Sequence, residues 1–546
     1  MKDFLTLTIG DWMDKMAAEY GDNDGLVYPD RGLRLSYRGL NEMARRAARG
    51  LMAMGIKKGD HVAVWSANTP EWMYTLMGCA KIGAVLVTVN TNYKIFELEY
   101  LLRQSDSKLL VFSDGSKTSD YNEILSELLE DRSRVPVLEK IVHMTRVGDD
   151  PEQGASRVPG AVSWESMLEA GDAVPEAELD AVQRTLDIHE VINMQYTSGT
   201  TGFPKGVCLT HHNILNNGYY IGENMKFTHN DRLCICVPFF HCFGLVLATM
   251  AAITHATTMV PVENYSPLGV MQAVQAERCT ALHGVPTMFI FILDHPDFSK
   301  YDLSSLRTGI MAGSTCPIDV MRRVIDQMNQ KELVIVFGQT ECSPGMTMSR
   351  TDDTLERRVA TVGQLLPHAE GKIVDPETGE EVPPGVPGEI CTRGYHLMRG
   401  YYKMPEATAA AIDSDGWLHT GDIGTCDEDG YYVITGRIKD MIIRGGENIY
   451  PREIEELLYT HPDVQDSQVV GIPSVKFGEE VCAFVIKREG TAVDEDGIKD
   501  FVRQKMSRHK IPSHVIFTDA FPMTASGKIQ KYKLREQANE LLGLDS

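Results

Sequence analysis

Two periods of apolar positions take turns along the chain. Between Asp60 and Phe112 the pattern predicts a strand over His61 to Trp65, a helix over Glu71 to Lys81 and a strand over Ala84 to Val89. A helix over Phe96 to Gln104 and a strand over Leu109 to Phe112 follow. Strands alternating with helices in this way form a parallel sheet covered by helices. A second region of the same kind contains the apolar segment Thr280 to Val285, a helix over Pro286 to Leu293 and a strand over Leu333 to Phe337 that ends at Gly338. Ligands of such sheets usually lie at the carboxyl ends of the strands. From Gly363 to Tyr432 the texture changes to short strands broken by turns such as Asp375-Pro376, Asp415-Gly416 and Asp429-Gly430, which predicts a small β unit. Beyond Gly436-Arg437, Pro451 opens a helix with Ile454, Leu457 and Leu458 on one face, and strands at Gln468 to Gly471 and Val481 to Lys487 follow. The expected fold is therefore α/β, with a large N-terminal domain (1–437) of parallel α/β sheets plus a small β unit, followed by a small α+β C-terminal domain (438–546). The Gly-, Pro- and Asp-rich stretch from Val147 to Gly160 reads as a surface loop.

Length agrees with several units, because 546 residues exceed what one core supports, at roughly 150 residues per domain. Asp and Glu number 76 against 53 Lys and Arg, and the resulting formal charge of -23 repels nucleic acid and anionic membrane at long range. An anionic ligand must then be held by local donors. The N-terminus lacks a basic region followed by an apolar core, so no secretory signal is expected. The most apolar stretch, Phe239 to Thr254, is interrupted by Gly244 and Thr249, and no membrane span is expected. Eleven cysteines without a C-x-x-C pair suit reduced thiols in a cytoplasmic setting. Cys234, Cys236, Cys242 and His241 lie close enough in sequence to suggest a metal, but the spacing of the first two fits an alternating strand better.

The densest chemistry is the stretch Tyr196-Thr-Ser-Gly-Thr-Thr-Gly-Phe-Pro-Lys205-Gly206-Val207. Its glycines, Gly199 and Gly202 among them, let backbone approach a polyphosphate. Thr197, Ser198, Thr200 and Thr201 supply hydroxyls, and Lys205 supplies charge. It is not the Walker loop, because Gly206 follows the lysine where Ser or Thr is needed. A plain Gly/Ser/Thr turn is the alternative.

This stretch resembles the signature loop of the adenylate-forming superfamily, which contains acyl-CoA synthetases, luciferases and peptide-synthetase adenylation domains. Further motifs follow in the family's order. Phe337-Gly338-Gln339-Thr340-Glu341 resembles its aromatic-Gly-x-Thr-Glu motif, and Thr420-Gly421-Asp422 its ribose-binding motif. The stretch from Gly436-Arg437 to Gly445-Gly446 resembles its hinge region, and Pro522 to Ile529 with Lys528 its C-terminal lysine motif. The resemblance spans nearly the whole chain, and five motifs in order leave chance no room. It implies that ATP and coenzyme A are substrates, that Mg²⁺ assists, and that the C-terminal domain is mobile about Lys439. Lys528, Glu341, Thr197 and His241 are then the expected catalytic residues, with Thr197 and Glu341 as Mg²⁺ ligands. The phosphate loop, Gly313, Ser314, Phe337 to Thr340, Asp422 and Arg437 are expected on the nucleotide, and Gly445 and Gly446 beside the pantetheine arm. Each residue also has a bland alternative: a solvated lysine, a turn aspartate, a core phenylalanine, an exposed glutamate.

Pro238-Phe-Phe-His241-Cys-Phe243-Gly244 resembles the family's substrate-side motif, where amino-acid-activating members typically carry Asp to pair an ammonium group. A neutral His among phenylalanines suits an acid with an apolar tail instead. The run from Val285 to Phe298, followed by Ala312-Gly313-Ser314, is most similar to the medium-chain fatty acyl-CoA synthetase branch. Two other readings stand beside it: an adenylation module that loads a carrier protein, and a nucleotide-binding sensor without catalysis. The absence of a carrier domain after Ser546 favours free coenzyme A, and the presence of Lys205, Glu341 and Lys528 disfavours the sensor. Oligomeric state is open, a homodimer included, and so is the length of the acid.

Overall fold

The computed structural model describes residues 3–116, 119–144, 157–197, 204–314, 316–444, 447–524 and 528–544. Most of the expected loop at 147–160 lies outside them. Two large sheets dominate. One runs in space Gly400–Tyr401, Lys205–Thr210, Val191–Thr197, Val85–Thr88, His61–Trp65, Ser107–Phe112, Lys140–His143, Val162–Ser163. It is parallel from Val191–Thr197 onward, and its first two strands run antiparallel. The other runs Gln364–Leu365, Gly345–Met348, Glu332–Gly338, Thr308–Ala312, Ala281–His283, Arg232–Ile235, Thr258–Pro261, Asp24–Tyr28, Leu33–Ser36.

The helix Pro70–Ile82 contributes to the core they share. Thr69 caps it by accepting from the Trp72 N–H, Pro70 presets its first turn, and Gly83 ends it at φ +71°. Every residue of this helix is buried, as expected of a helix without a polar face that sits between layers. Lys81 tolerates that burial because its Nζ reaches Asp14 Oδ1 at 2.8 Å and the Gly10 carbonyl at 3.3 Å.

The elements expected over 61–112 are all present, within a residue or two. Two expectations need correction. The strand carrying Cys234 does not alternate: Leu233, Cys234 and Ile235 are all buried because parallel neighbours flank the strand and apolar layers cover both faces. The stretch Phe239 to Thr254 is not merely broken. It contains a π-helix, Phe243–Met250, running on into the α-helix Ala251–Thr254. Gly244 permits its entry, since a Cβ there would lie 2.2 Å from the Pro238 carbonyl oxygen. The Thr249 hydroxyl donates to the Gly244 carbonyl at 2.9 Å, as the wider turn allows.

The small β unit is an antiparallel sheet of Ala369–Val374, Gly388–Gly394, Leu418–Cys426 and Tyr432–Arg437. After a single 3₁₀ turn, Ile438–Asp440, comes a last sheet built on the long hairpin Val464–Ser474 and Gly478–Lys487, longer at both strands than the sequence pattern suggests. Helices Pro451–Tyr459 and Glu495–Arg503 cover one face around Ile454, Leu458, Ile498 and Val502, and the helix Lys531–Leu542 covers the other through Leu534 and Ala538.

Candidate active site

The carboxyl ends of the second sheet's strands converge on a cavity lined by Val237, Pro238, His241, Phe243, Leu247, Val285, Ala312, Gly313, Val336, Gly338, Gln339, Thr340, Pro344 and Lys528. Thr308–Ala312 delivers Gly313, and Glu332–Gly338 delivers Gly338. This is where a ligand of a parallel sheet belongs. Gly338 is required there: its φ is +156° and a Cβ would lie 1.8 Å from the Pro344 carbonyl oxygen. Ser314 sits exposed beyond Gly313, while Phe337 is half-buried against the core at the strand end, leaving part of its ring accessible.

Lys528 comes from the opposite end of the chain. The Thr524 N–H donates to its carbonyl (2.7 Å), and its own N–H donates to the Thr524 hydroxyl (3.0 Å). Although the residue keeps an open surface, its ammonium reaches into the cavity. Burial lowers its pKa, the Arg437 charge lowers it further, and Cys242, Asp422 and Glu341 pull in the opposite direction. Lys528 in turn helps, after burial, to hold the His241 pKa down to about 3. His241 is therefore neutral at ordinary pH. Its Nδ1 accepts from the Phe243 N–H at 3.2 Å, which places the ring hydrogen on Nε2 as a donor.

Beside the cavity lies a second cluster. Asp422 is buried, and its Oδ1 accepts from Arg437 Nε at 2.6 Å while its Oδ2 has no partner among the described residues. A buried oxygen without a donor is costly, and such groups mark places where a ligand completes the bonding. Burial raises the Asp422 pKa against the pull of Arg437.

Glu341 occupies a 3₁₀ turn, Thr340–Cys342, and its Oε1 accepts from the Tyr401 hydroxyl at 2.8 Å. Among the described residues no hydrogen bond reaches its other oxygen. The Tyr401 ring also carries Lys205 Nζ, 4.8 Å from its centre. Tyr401 thus ties Lys205 to Glu341, a link that no motif suggests because it is made by a tyrosine more than a hundred residues from Lys205. Gln195 is a second residue the sequence reading misses. It is buried, its Oε1 accepts from Cys242 Sγ at 2.9 Å, and its Nε2 has no partner among the described residues. Thr197 closes Val191–Thr197 and pairs in register with Lys205 across the antiparallel strands. Between them, Ser198, Gly199, Thr200, Thr201 and Gly202 lie outside the described residues, as do Gly445 and Gly446.

Comparison with known proteins decides the class. Residues 13–402 match the family described as AMP-binding enzyme, and residues 453–528 match its C-terminal domain. The chain belongs to the AMP-binding enzyme family. YngI of Bacillus subtilis (strain 168), an acyl-CoA synthetase by name, is 51% identical over 556 residues and covers both chains completely. The mitochondrial medium-chain acyl-CoA ligase ACSF2 of Rattus norvegicus is 40% identical over 553 residues, covering 98% of this chain and 88% of its own. Among solved structures, the anthranilate CoA ligase AuaEII in complex with anthranoyl-AMP superposes with a TM-score of 0.85 at 26% identity, over 100% of both chains. The resemblance to adenylate-forming acyl-CoA synthetases read from five motifs is thereby borne out, and so is the mixed α/β fold. Among the described residues, no helix is long and apolar enough to cross a membrane.

Proposed function

We propose that this AMP-binding enzyme joins a medium-chain fatty acid to coenzyme A, with the residues above in the roles their motifs imply. The reaction is ATP-dependent acid:CoA ligation through an acyl-adenylate. In the first step a carboxylate oxygen of the acid bonds to the α-phosphorus of ATP, and the bond to the bridging oxygen breaks, releasing pyrophosphate. In the second, the coenzyme A sulfur bonds to the acyl carbon, its proton is lost, and AMP leaves.

The observation that carries this reading is one cavity that has Lys528 and the neutral His241 beside walls of Val237, Phe243, Leu247, Val285 and Val336. Two anions must meet in the first step, so positive charge held in place is the main requirement. The Lys528 ammonium meets it at the reacting phosphate, and His241 donates to the acid's carboxyl group. The apolar walls take the alkyl tail and have no carboxylate to pair an ammonium group.

Gly313, Ser314 and Phe337 to Thr340 would hold the adenine. Asp422 and Arg437 would take the ribose hydroxyls, the unmatched Asp422 Oδ2 being the acceptor. Thr197, Lys205 and the loop between them would cradle the phosphates, and Gly445 and Gly446 would border the pantetheine arm. The accessible Glu341 oxygen and the Thr197 hydroxyl are hard donors that fit Mg²⁺, which shields polyphosphate charge when bound. Residues 1–437 would form the ATP- and acid-binding domain and 438–546 a domain mobile about Lys439. Its position with Lys528 in the cavity is the one that adenylation needs. A cytoplasmic location accords with eleven free thiols.

Pyrophosphate release across straight-chain, branched and aromatic acids, each with and without coenzyme A, tests the reading. Medium straight-chain acids should give the highest kcat/KM and require coenzyme A for turnover. Aromatic acids as best substrates, or turnover indifferent to coenzyme A, would overturn it.

A further inference from the structure

On one side the turn that presents Asp422 pairs with the next strand, Asp422 opposite Arg437, but on the Gly388–Gly394 side the sheet ladder does not hold it. Gly388–Gly394 and Leu418–Cys426 pair regularly at Cys391↔His419 and at Glu389↔Ile423, but the register shifts between them, opposite Thr420 to Asp422. A bulge of this kind leaves backbone groups without ladder partners and re-aims a side chain. Here side chains supply the partners. The Thr420 hydroxyl donates to the Ile390 carbonyl at 2.7 Å and accepts from the Asp422 N–H at 3.1 Å. The Gly421 N–H, in a residue at φ +69°, donates to Glu389 Oε1 at 3.0 Å. The other oxygen of Glu389 accepts from His419 Nδ1 at 2.8 Å, and His419 Nε2 faces Asp413 Oδ2 at 3.5 Å.

Glu389, Cys391 and His419 bring one potential metal ligand each within 4.8 Å of one another. Both Glu389 oxygens are already committed, however, and burial pushes the Cys391 thiol up to about 12, leaving it protonated and a poor ligand. Bonds within the protein account for the cluster.

We infer that Glu389, backed by His419, is a positioning residue for nucleotide recognition: its carboxylate clamps the bulged turn so that the unmatched Asp422 oxygen faces the ribose. The inference rests on the proposed role of Asp422. Glu389 is buried on the sheet side of the turn and touches no part of the cavity, so it acts only through the turn it holds. Gln at 389 can keep both bonds. Its Oε1 still accepts from Gly421, and its amide donates to His419 Nδ1 once the ring hydrogen moves to Nε2, towards Asp413.

The experiment is acid-dependent ATP–pyrophosphate exchange with ATP and with 2′,3′-dideoxyATP, which lacks both ribose hydroxyls, on the full chain and on Glu389→Ala, Glu389→Gln, His419→Ala and Asp422→Ala. Glu389→Ala should narrow the preference for ATP about tenfold, through KM for ATP rather than kcat, as loss of a bond to a charged group implies. Glu389→Gln should restore most of it, and His419→Ala, which leaves the Gly421 bond in place, should fall between. A preference equal to wild type in a folded Glu389→Ala, or in His419→Ala should the first variant not fold, overturns the clamp. If Asp422→Ala also keeps the full preference, the ribose role of Asp422 itself fails, an outcome separate from failure of the clamp alone.

Discussion

In its proposed role Lys528 acts once, on the phosphate in the first step. Its charge is opposed by burial and by Arg437, against the weaker pull of Cys242, Asp422 and Glu341. Such an ammonium gains most when an anionic phosphate develops beside it. Lys528→Ala should therefore lower adenylate formation by about 10²- to 10³-fold, the usual cost of one charge-stabilising donor, while thioester formation from supplied acyl-adenylate stays near wild type. Single-turnover measurement of each half-reaction decides, and equal losses in both would remove Lys528 from that role. The lysine was legible in the sequence because its motif is local. Tyr401 and Glu389 were not, because their significance lies in contacts with Glu341, Lys205 and Gly421, and neither stands in a motif whose spacing announces chemistry.

The turn Ile438–Asp440 is a single three-residue 3₁₀ turn. It joins Tyr432–Arg437, the last strand of the β unit, to Ile442–Arg444, the first strand of the C-terminal sheet. The Met441 N–H closes the turn on the Arg437 carbonyl at 3.0 Å, and no backbone bond there depends on the Lys439 N–H among the described residues. Lys439→Pro then removes no donor the present arrangement uses. It fixes φ near -65° and crowds the helical backbone of Ile438, so adenylation should fall only modestly. Rotation through 439 would be blocked. Thioester formation from acid, ATP and coenzyme A should be lost, and a wild-type rate would refute rotation at this turn. At this scale the strands and helices over 61–112 were legible because each repeats its period several times. The π-helix Phe243–Met250 was not. All eight of its residues are buried, so no polar face marks its period, and its width is set by Gly244 and Thr249 within the packed core.

For the whole molecule, the burial that builds the core also fixes how stability depends on pH. Among the described residues desolvation lowers the pKa of five histidines: His211, His283 and His396 to about 4, His241 to about 3, and the half-buried His212 less far. Each lies below its unfolded value near 6.5, so between 6.5 and the folded value the unfolded chain binds more protons, and stability falls as pH falls. Each of the first four then costs about 2 kcal/mol between pH 7 and pH 5. The buried carboxyls of Glu71, Asp422 and Asp466, with pKa values raised by desolvation, bind protons more readily when folded and pull the other way. A difference between variants isolates one group from that sum. His283 suits it: Nδ1 accepts from the Ile310 N–H at 3.2 Å and Nε2 donates to the Leu247 carbonyl at 3.2 Å, so the imidazole braces the π-helix against the second sheet. Gln can make both bonds without titrating. Tryptophan fluorescence follows the relevant part, since Trp12, Trp65, Trp72, Trp164 and Trp417 all precede residue 438. In urea, His283→Gln should start below wild type at pH 7 through imperfect packing, yet lose about 2 kcal/mol less on going to pH 5. Parallel losses in the two proteins would mean that His283 already titrates normally in the folded state, and that the core around the π-helix admits water.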